Sequence, residues 1–338
     1  MNYLRLPNGS YDKLLQKNPK LIQMDICDFI THYRKSGRSH SSISGYVAGL
    51  RKFYDMNEIE LNWRIIRSRQ GEMEKTIEDR PYTHSEIQML LDKANYRNRS
   101  IILLMASAGL RMGAIPALKM KDLEAIDSHS IYKINIYGRS VKSRYFSFCT
   151  PECRKWIDLY LDYRRRWGER ITDDSPLFRA EYNAHASPAK SKIAPVTKDA
   201  IHQFMNALLK NTGLRTLSLE GQNYQRLNIM MTHGFRKFFE TNAFKAGMEH
   251  MYIRRLMGQK SGLEDSYLKL SEEELLEGDN KHTGYIGIID QLTIDESNKL
   301  KRENEMLRVS KNKYEAMEER LNEFGSEMNE IRELLKKK

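Results

Sequence analysis

The sequence predicts a mainly α-helical protein with one small antiparallel β-sheet, divided into an N-terminal helical domain, a larger mixed domain and a C-terminal helix of coiled-coil pattern. Three observations predict this. Apolar residues recur at helical spacing along most of the chain, a strand–turn–strand pattern interrupts them once, and a seven-residue repeat runs from Leu300 to Leu335. At 338 residues the chain exceeds one ordinary domain, and 40% apolar with 30% charged residues supports a sizeable core under a heavily charged surface. The expected boundaries are residues 1–75, 80–293 and 294–338.

In the first domain Ile22, Ile26, Phe29, Ile30 and Tyr33 share a helical stripe, and after a polar stretch Ile43, Tyr46, Val47, Leu50 and Phe53 share a second. Arg34, Lys35, Arg38, Arg51 and Lys52 surround their junction together with Ser39, Ser41, Ser42 and Ser44, a mixture suited to phosphate contacts. A polar stretch then reaches Pro81. There Thr83-His84-Ser85-Glu86 forms a capping box ahead of Ile87, Leu90 and Leu91, which places the domain boundary.

Beyond it the expectations are an apolar helix over Ser100–Ala108, a hairpin of Ile131–Tyr137 with Arg144–Cys149, and an amphipathic helix from Pro151 to about Arg166. Ala184–Pro195 reads as a loop, and helices follow at about Thr197–Leu209, His233–Ala246 and Met251–Leu256. In the tail, Leu300, Leu307, Tyr314, Leu321, Met328 and Leu335 form the first heptad stripe, and Met317, Phe324 and Ile331 part of the second.

Composition narrows the function. The net charge is +11, but residues 1–270 carry 44 basic against 28 acidic side chains, whereas residues 291–338 balance 11 against 11. A surplus of that size on the folded region points to a polyanionic partner, most often nucleic acid. Cys27, Cys149 and Cys153 form neither an even disulfide framework nor a metal-binding spacing, and no phosphate-binding glycine motif occurs, so neither cofactor, metal nor nucleotide is expected. The longest apolar run, near Ile101–Ala106, falls far short of the roughly 20 residues of a bilayer span, and Met1–Pro7 lacks the apolar region of a signal peptide. A cytoplasmic protein with no membrane partner is the expectation.

Three segments combine polar chemistry with apolar scaffolding. In Gly109-Leu110-Arg111 an apolar helix ends at a glycine and presents an arginine; in Thr232-His233-Gly234-Phe235-Arg236 a histidine and an arginine lie one helical turn apart; Leu256-Met257-Gly258-Gln259 is followed by a polar segment containing Tyr267. These elements, in this order and with Gln259 23 and Tyr267 31 residues after Arg236, resemble the tyrosine recombinases, also called the phage integrase family. The segment from Gly258 to Glu277 looks most like archaeal integrases. The resemblance covers about Arg80 to Thr293, and the preceding helical segment resembles the family's core-binding domain.

That resemblance implies site-specific cleavage and rejoining of DNA through a 3′-phosphotyrosine, with Tyr267 as nucleophile, Arg111 and Arg236 holding the phosphate, His233 handling a proton, Gln259 bonding the phosphate and Lys142 protonating the leaving oxygen. It also implies a homo-oligomer, a tetramer on paired sites. Two departures stand out: Ala114 occupies a usually acidic position, and Gln259 one usually held by histidine or tryptophan. They motivate an alternative, a catalytically weak or silent DNA-binding protein that kept the fold. A type IB topoisomerase-like enzyme would share the chemistry, but the separate N-terminal module and small size favour a recombinase.

Overall fold

The computed structural model describes residues 12–71, 80–138, 140, 143–181, 193–214, 231–259, 270–279, 282–295 and 317. Lys142, Tyr267 and, save Met317, the heptad tail from residue 296 on lie outside the described residues. The chain divides into two compact units, the second beginning at Arg80.

The first unit contains α1 (Asp12–Leu15), α2 (Pro19–Lys35), α3 (His40–Met56) and α4 (Trp63–Ser68). Asn18, Ser39 and Asn62 cap α2, α3 and α4, each accepting a bond from a backbone N–H of the first turn. Ile22, Ile26 and Ile30 of α2 close on Ile43 and Val47 of α3 and on Ile66 of α4, the expected stripes with one addition. Tyr46 departs from its stripe: it is exposed, its ring resting against Phe29 and Tyr33, while Tyr54 takes a place inside the core.

The second unit opens with α5 (His84–Asp92), whose capping box is reciprocal: Thr83 Oγ accepts from Glu86 N at 3.2 Å, and Glu86 accepts from Thr83 N at 2.8 Å. Arg80 pairs with the same carboxylate at 2.6 Å. Next comes α6 (Tyr96–Ala108), buried from Ser100 onward on every face, which explains why it reads as an unbroken apolar run rather than a stripe. It packs between α7 (Pro151–Arg166) and α9 (His233–Lys245).

The sheet has three strands rather than the expected two: β1 (Leu123–Ile126), β2 (Ile131–Ile136) and β3 (Tyr145–Phe148), antiparallel in that order. In register Leu123 faces Ile134, and Ile136 faces Tyr145. At four residues between two short 3-10 turns, β1 has too little alternation to announce itself. The chain continues through α8 (Lys198–Asn211), capped by Thr197, and α10 (His250–Leu256) to α11 (Glu272–Glu277) and α12 (Tyr285–Leu292).

Helix α12 and the residues that follow it are tied down by buried polar contacts. Tyr285 Oη donates to Ser107 O at 2.8 Å, and the buried Glu152 carboxylate accepts from Ile294 N at 2.8 Å and Asp295 N at 3.2 Å. No described helix is long and apolar enough to cross a membrane.

Candidate active site

Two glycine turns and one buried arginine build the site. Helix α6 stops at Gly109, whose φ of 58° is left-handed and whose missing Cβ would lie 2.7 Å from Phe239 Cδ1. Only glycine satisfies both conditions. Helix α10 is capped by Met257, and Gly258 follows with φ +64°; a Cβ there would lie 2.5 Å from the Tyr145 ring.

Arg236 spans these turns. Its Nη1 donates to Gly109 O and its Nη2 to Met257 O at 3.2 Å, and the residue is only 4% exposed. A guanidinium carries five N–H donors, so two carbonyl anchors fix its plane and leave donors for an anion. Burial lowers its pKa from the usual arginine value, and the positive charge of Arg111, two residues beyond the Gly109 anchor, lowers it further.

Arg111 is exposed directly after Gly109 and Leu110, and none of the described residues hydrogen-bonds its side chain. The turn that carries it is closed by backbone: Ala114 N donates to Arg111 O at 2.9 Å at the start of a 3-10 helix over Met112–Ala117, and Ala114 itself is buried. The turn therefore stands without an acidic side chain at position 114.

His233 is exposed at the first residue of α9, where Thr232 occupies the cap position in helical geometry without a side-chain capping bond. Gln259 is half-buried; its backbone N–H donates to Arg254 O at 2.9 Å, and its amide lies 4.0 Å from Met257 Sδ. The structure thus brings Arg111 and Arg236 together, puts Gln259 two residues from an Arg236 anchor, and leaves His233 accessible one turn before Arg236. Arg144, which directly precedes β3, is exposed.

Tyr145 was legible in the sequence only as a strand residue, yet it borders the same site. Burial pushes its phenol above the ordinary tyrosine value, opposed by the positive charges of Arg236 and Arg111. No sequence signal distinguishes it from the other strand aromatics. Tyr285, a tyrosine 18 residues beyond Tyr267, is fully buried and bonded to Ser107 O, so it has no access to a substrate.

In the first unit Arg34, Lys35, Arg38, Arg51 and Lys52 are all exposed. Arg34 donates to Arg69 O at 3.1 Å, and Arg51 pairs with Asp55 at 3.3 Å. Arg51 and Lys52 line an open groove that also includes Ser44, Asp55, Arg67 and Gln70. Arg67 is a cation of this groove that the sequence pattern does not single out.

Comparison with known proteins places these features. The model of the phage integrase family matches residues 81–264. The tyrosine recombinase XerA of Pyrococcus furiosus is 26% identical over 264 residues, covering 77% of this chain and 80% of the relative. XerA of Pyrococcus horikoshii is 22% identical over 282 residues, covering 83% and 87%. Among solved structures, the Tn1549 transposon integrase in complex with circular intermediate DNA matches with a TM-score of 0.51 at 16% identity, over 78% of this chain and 87% of that one.

Proposed function

This chain belongs to the phage integrase family, the tyrosine recombinases, and from that premise we propose that it is a site-specific DNA recombinase of archaeal type that cleaves and rejoins double-stranded DNA through Tyr267. The observation that carries the reading is Arg236, buried and held by Gly109 O and Met257 O, beside the exposed Arg111. Among the described residues neither arginine forms an ion pair with a carboxylate, although Glu240 attracts Arg236 from a distance; two such mutually repelling arginines are poorly suited to a structural role and well suited to a shared phosphate.

In this mechanism the Tyr267 oxygen attacks the scissile phosphorus, its proton passing toward His233. Arg111, Arg236 and the Gln259 amide stabilise charge developing on the non-bridging oxygens. Loss of one such contact typically costs about 2.7–4 kcal/mol of barrier. The bond from phosphorus to the 5′ oxygen breaks, Lys142 supplies the proton to that oxygen, and a 3′-phosphotyrosine with a free 5′-hydroxyl results. Attack by a 5′-hydroxyl of another strand reverses the step and joins the strands, so no external energy source is consumed.

Residues 1–75 are read as the core-binding domain, with Arg34, Lys35, Arg38, Arg51 and Lys52 contacting DNA phosphates. Residues 80–293 are read as the catalytic domain and residues 294–338 as a coiled-coil helix that supports homo-oligomers, a tetramer on paired sites.

The competing reading, a silent DNA-binding protein, draws on Ala114 and Gln259. Incubation with a randomised pool of nicked suicide duplexes, followed by denaturing electrophoresis, separates the two. The recombinase yields a covalent protein–DNA adduct that Tyr267→Phe abolishes; DNA retention without any adduct identifies the silent binder.

A further inference from the structure

Strand β3 reads Tyr145-Phe146-Ser147-Phe148, and alternation along a strand puts Tyr145 and Ser147 on one face. Ser147 Oγ donates to Ala108 O at 2.9 Å, which shows that this face is turned toward the end of α6 and the glycine turn carrying Arg111. On that face the Tyr145 hydroxyl is fully buried yet makes no hydrogen bond of acceptable geometry among the described residues.

An unpaired buried hydroxyl is unfavourable, and phenylalanine would fill the same space against Gly258 without that cost. Both other aromatics of the strand are phenylalanine. The ring is thus explained by packing, whereas the hydroxyl is not. Its ring packs against Gly258, which directly follows the Met257 carbonyl that anchors Arg236. Burial keeps the hydroxyl protonated, a shift that the charges of Arg236 and Arg111 oppose and that Tyr137 reinforces. Hydrogen bonds of this kind are often long or poorly aligned before substrate binds and tighten afterwards.

We propose that Tyr145 is a positioning residue for the arginine pair. Its hydroxyl oxygen presents the negative end of a dipole to Arg236 and Arg111 and holds the two mutually repelling guanidiniums in one convergent arrangement around the scissile phosphate. The hydroxyl acts through the arginines and does not touch DNA, as its complete burial requires. The inference rests on the recombinase reading given above.

The test compares Tyr145→Phe with wild type on suicide duplexes selected from the randomised pool by adduct formation. Single-turnover cleavage is expected to slow about 10- to 100-fold, the usual weight of a hydrogen bond to a charged group. DNA affinity should stay within about twofold, and the melting temperature of the full chain should be unchanged or higher, because an unpaired buried hydroxyl has been removed. A merely structural tyrosine would lower the melting temperature instead.

A second arm replaces one non-bridging oxygen of the cleaved phosphate by methyl. With less charge for the arginines to stabilise, the penalty of Tyr145→Phe should shrink by at least a few fold. The proposal is overturned by equal cleavage rates for the two proteins, by a loss of rate accompanied by a lower melting temperature, or by a penalty unchanged on the methylphosphonate. Failure of the wild-type protein to form any adduct would instead remove the recombinase reading, and this inference with it.

Discussion

Gly109→Ala tests the junction on which fold and site depend together. Two costs follow from the structure. Placing a side chain at φ 58° brings a left-handed penalty of about 1–2 kcal/mol. The new Cβ would lie 2.7 Å from Phe239 Cδ1 and 3.3 Å from Met257 Cγ, and because Phe239 is wholly buried its ring has no open direction in which to retreat. Overpacking of that kind costs about 1–3 kcal/mol.

A mid-range total of about 3.5 kcal/mol corresponds to a fall in melting temperature of about 7–14 °C for a unit of this size. Since Gly109 O anchors Arg236, adduct formation by the folded protein should also slow about tenfold or more, while DNA binding is largely retained. Gly113→Ala is the control. Gly113 has open space around its Cβ position and no left-handed φ, so the variant should melt within about 1–2 °C of wild type. Calorimetry of the two variants beside wild type measures the difference. A Gly109→Ala protein that melts within about 2 °C of wild type and cleaves at the wild-type rate would refute the argument that this turn requires glycine and positions Arg236.

The remaining predictions address the tyrosines, the C-terminal anchor and the tail. Tyr285→Phe should lower stability by about 1 kcal/mol, through loss of its bond to Ser107 O, yet still form the adduct that Tyr267→Phe abolishes; an adduct that persists in Tyr267→Phe and disappears in Tyr285→Phe would reverse the assignment. Burial raises the Glu152 carboxyl above its usual range, so the folded chain retains a proton that the unfolded chain has released, and this group makes stability fall as pH rises from about 4 through the raised value. Melting curves of Glu152→Gln should therefore show a shallower decline across that window than wild type, and parallel curves would contradict the assignment. Leu307→Asp combined with Leu321→Asp should reduce self-association in sedimentation and cooperative binding to paired sites while sparing single-site cleavage, because charge on the first heptad stripe opposes helix pairing. Unchanged cooperativity would show that the tail is not an oligomerisation device.

Much of the architecture was legible because the signals are local. The capping box at Thr83–Glu86, the Thr150-Pro151 start of α7 and the period of the α2 and α3 stripes each depend on residues within a few positions of one another, and the observed elements begin where those residues stand. Strand β1 escaped notice because four residues between 3-10 turns carry no period. Helix α11 was missed although Ser271 and Glu274 form a capping box that was there to be read. Helix α12 contains Gly287, which locally disfavours helix; a Cβ there would meet Cγ2 of Thr283, one turn earlier, at 2.3 Å.

The sequence by itself determined the family and the identity of the candidate chemical groups, because residue type and spacing survive as a pattern without coordinates: an arginine after a helix-ending glycine, a histidine and arginine one turn apart, a glycine after Leu256-Met257. Only the tertiary structure decided how those groups are held. That Arg236 is fixed by Gly109 O and Met257 O depends on two turns 127 and 21 residues away from it meeting over one guanidinium. That the Tyr145 hydroxyl faces the same pair depends on the register of β3 and on Gly258 leaving room for its ring. Contacts of this kind form between residues remote in the chain, through backbone carbonyls that every residue type carries, so no local pattern of side chains encodes them.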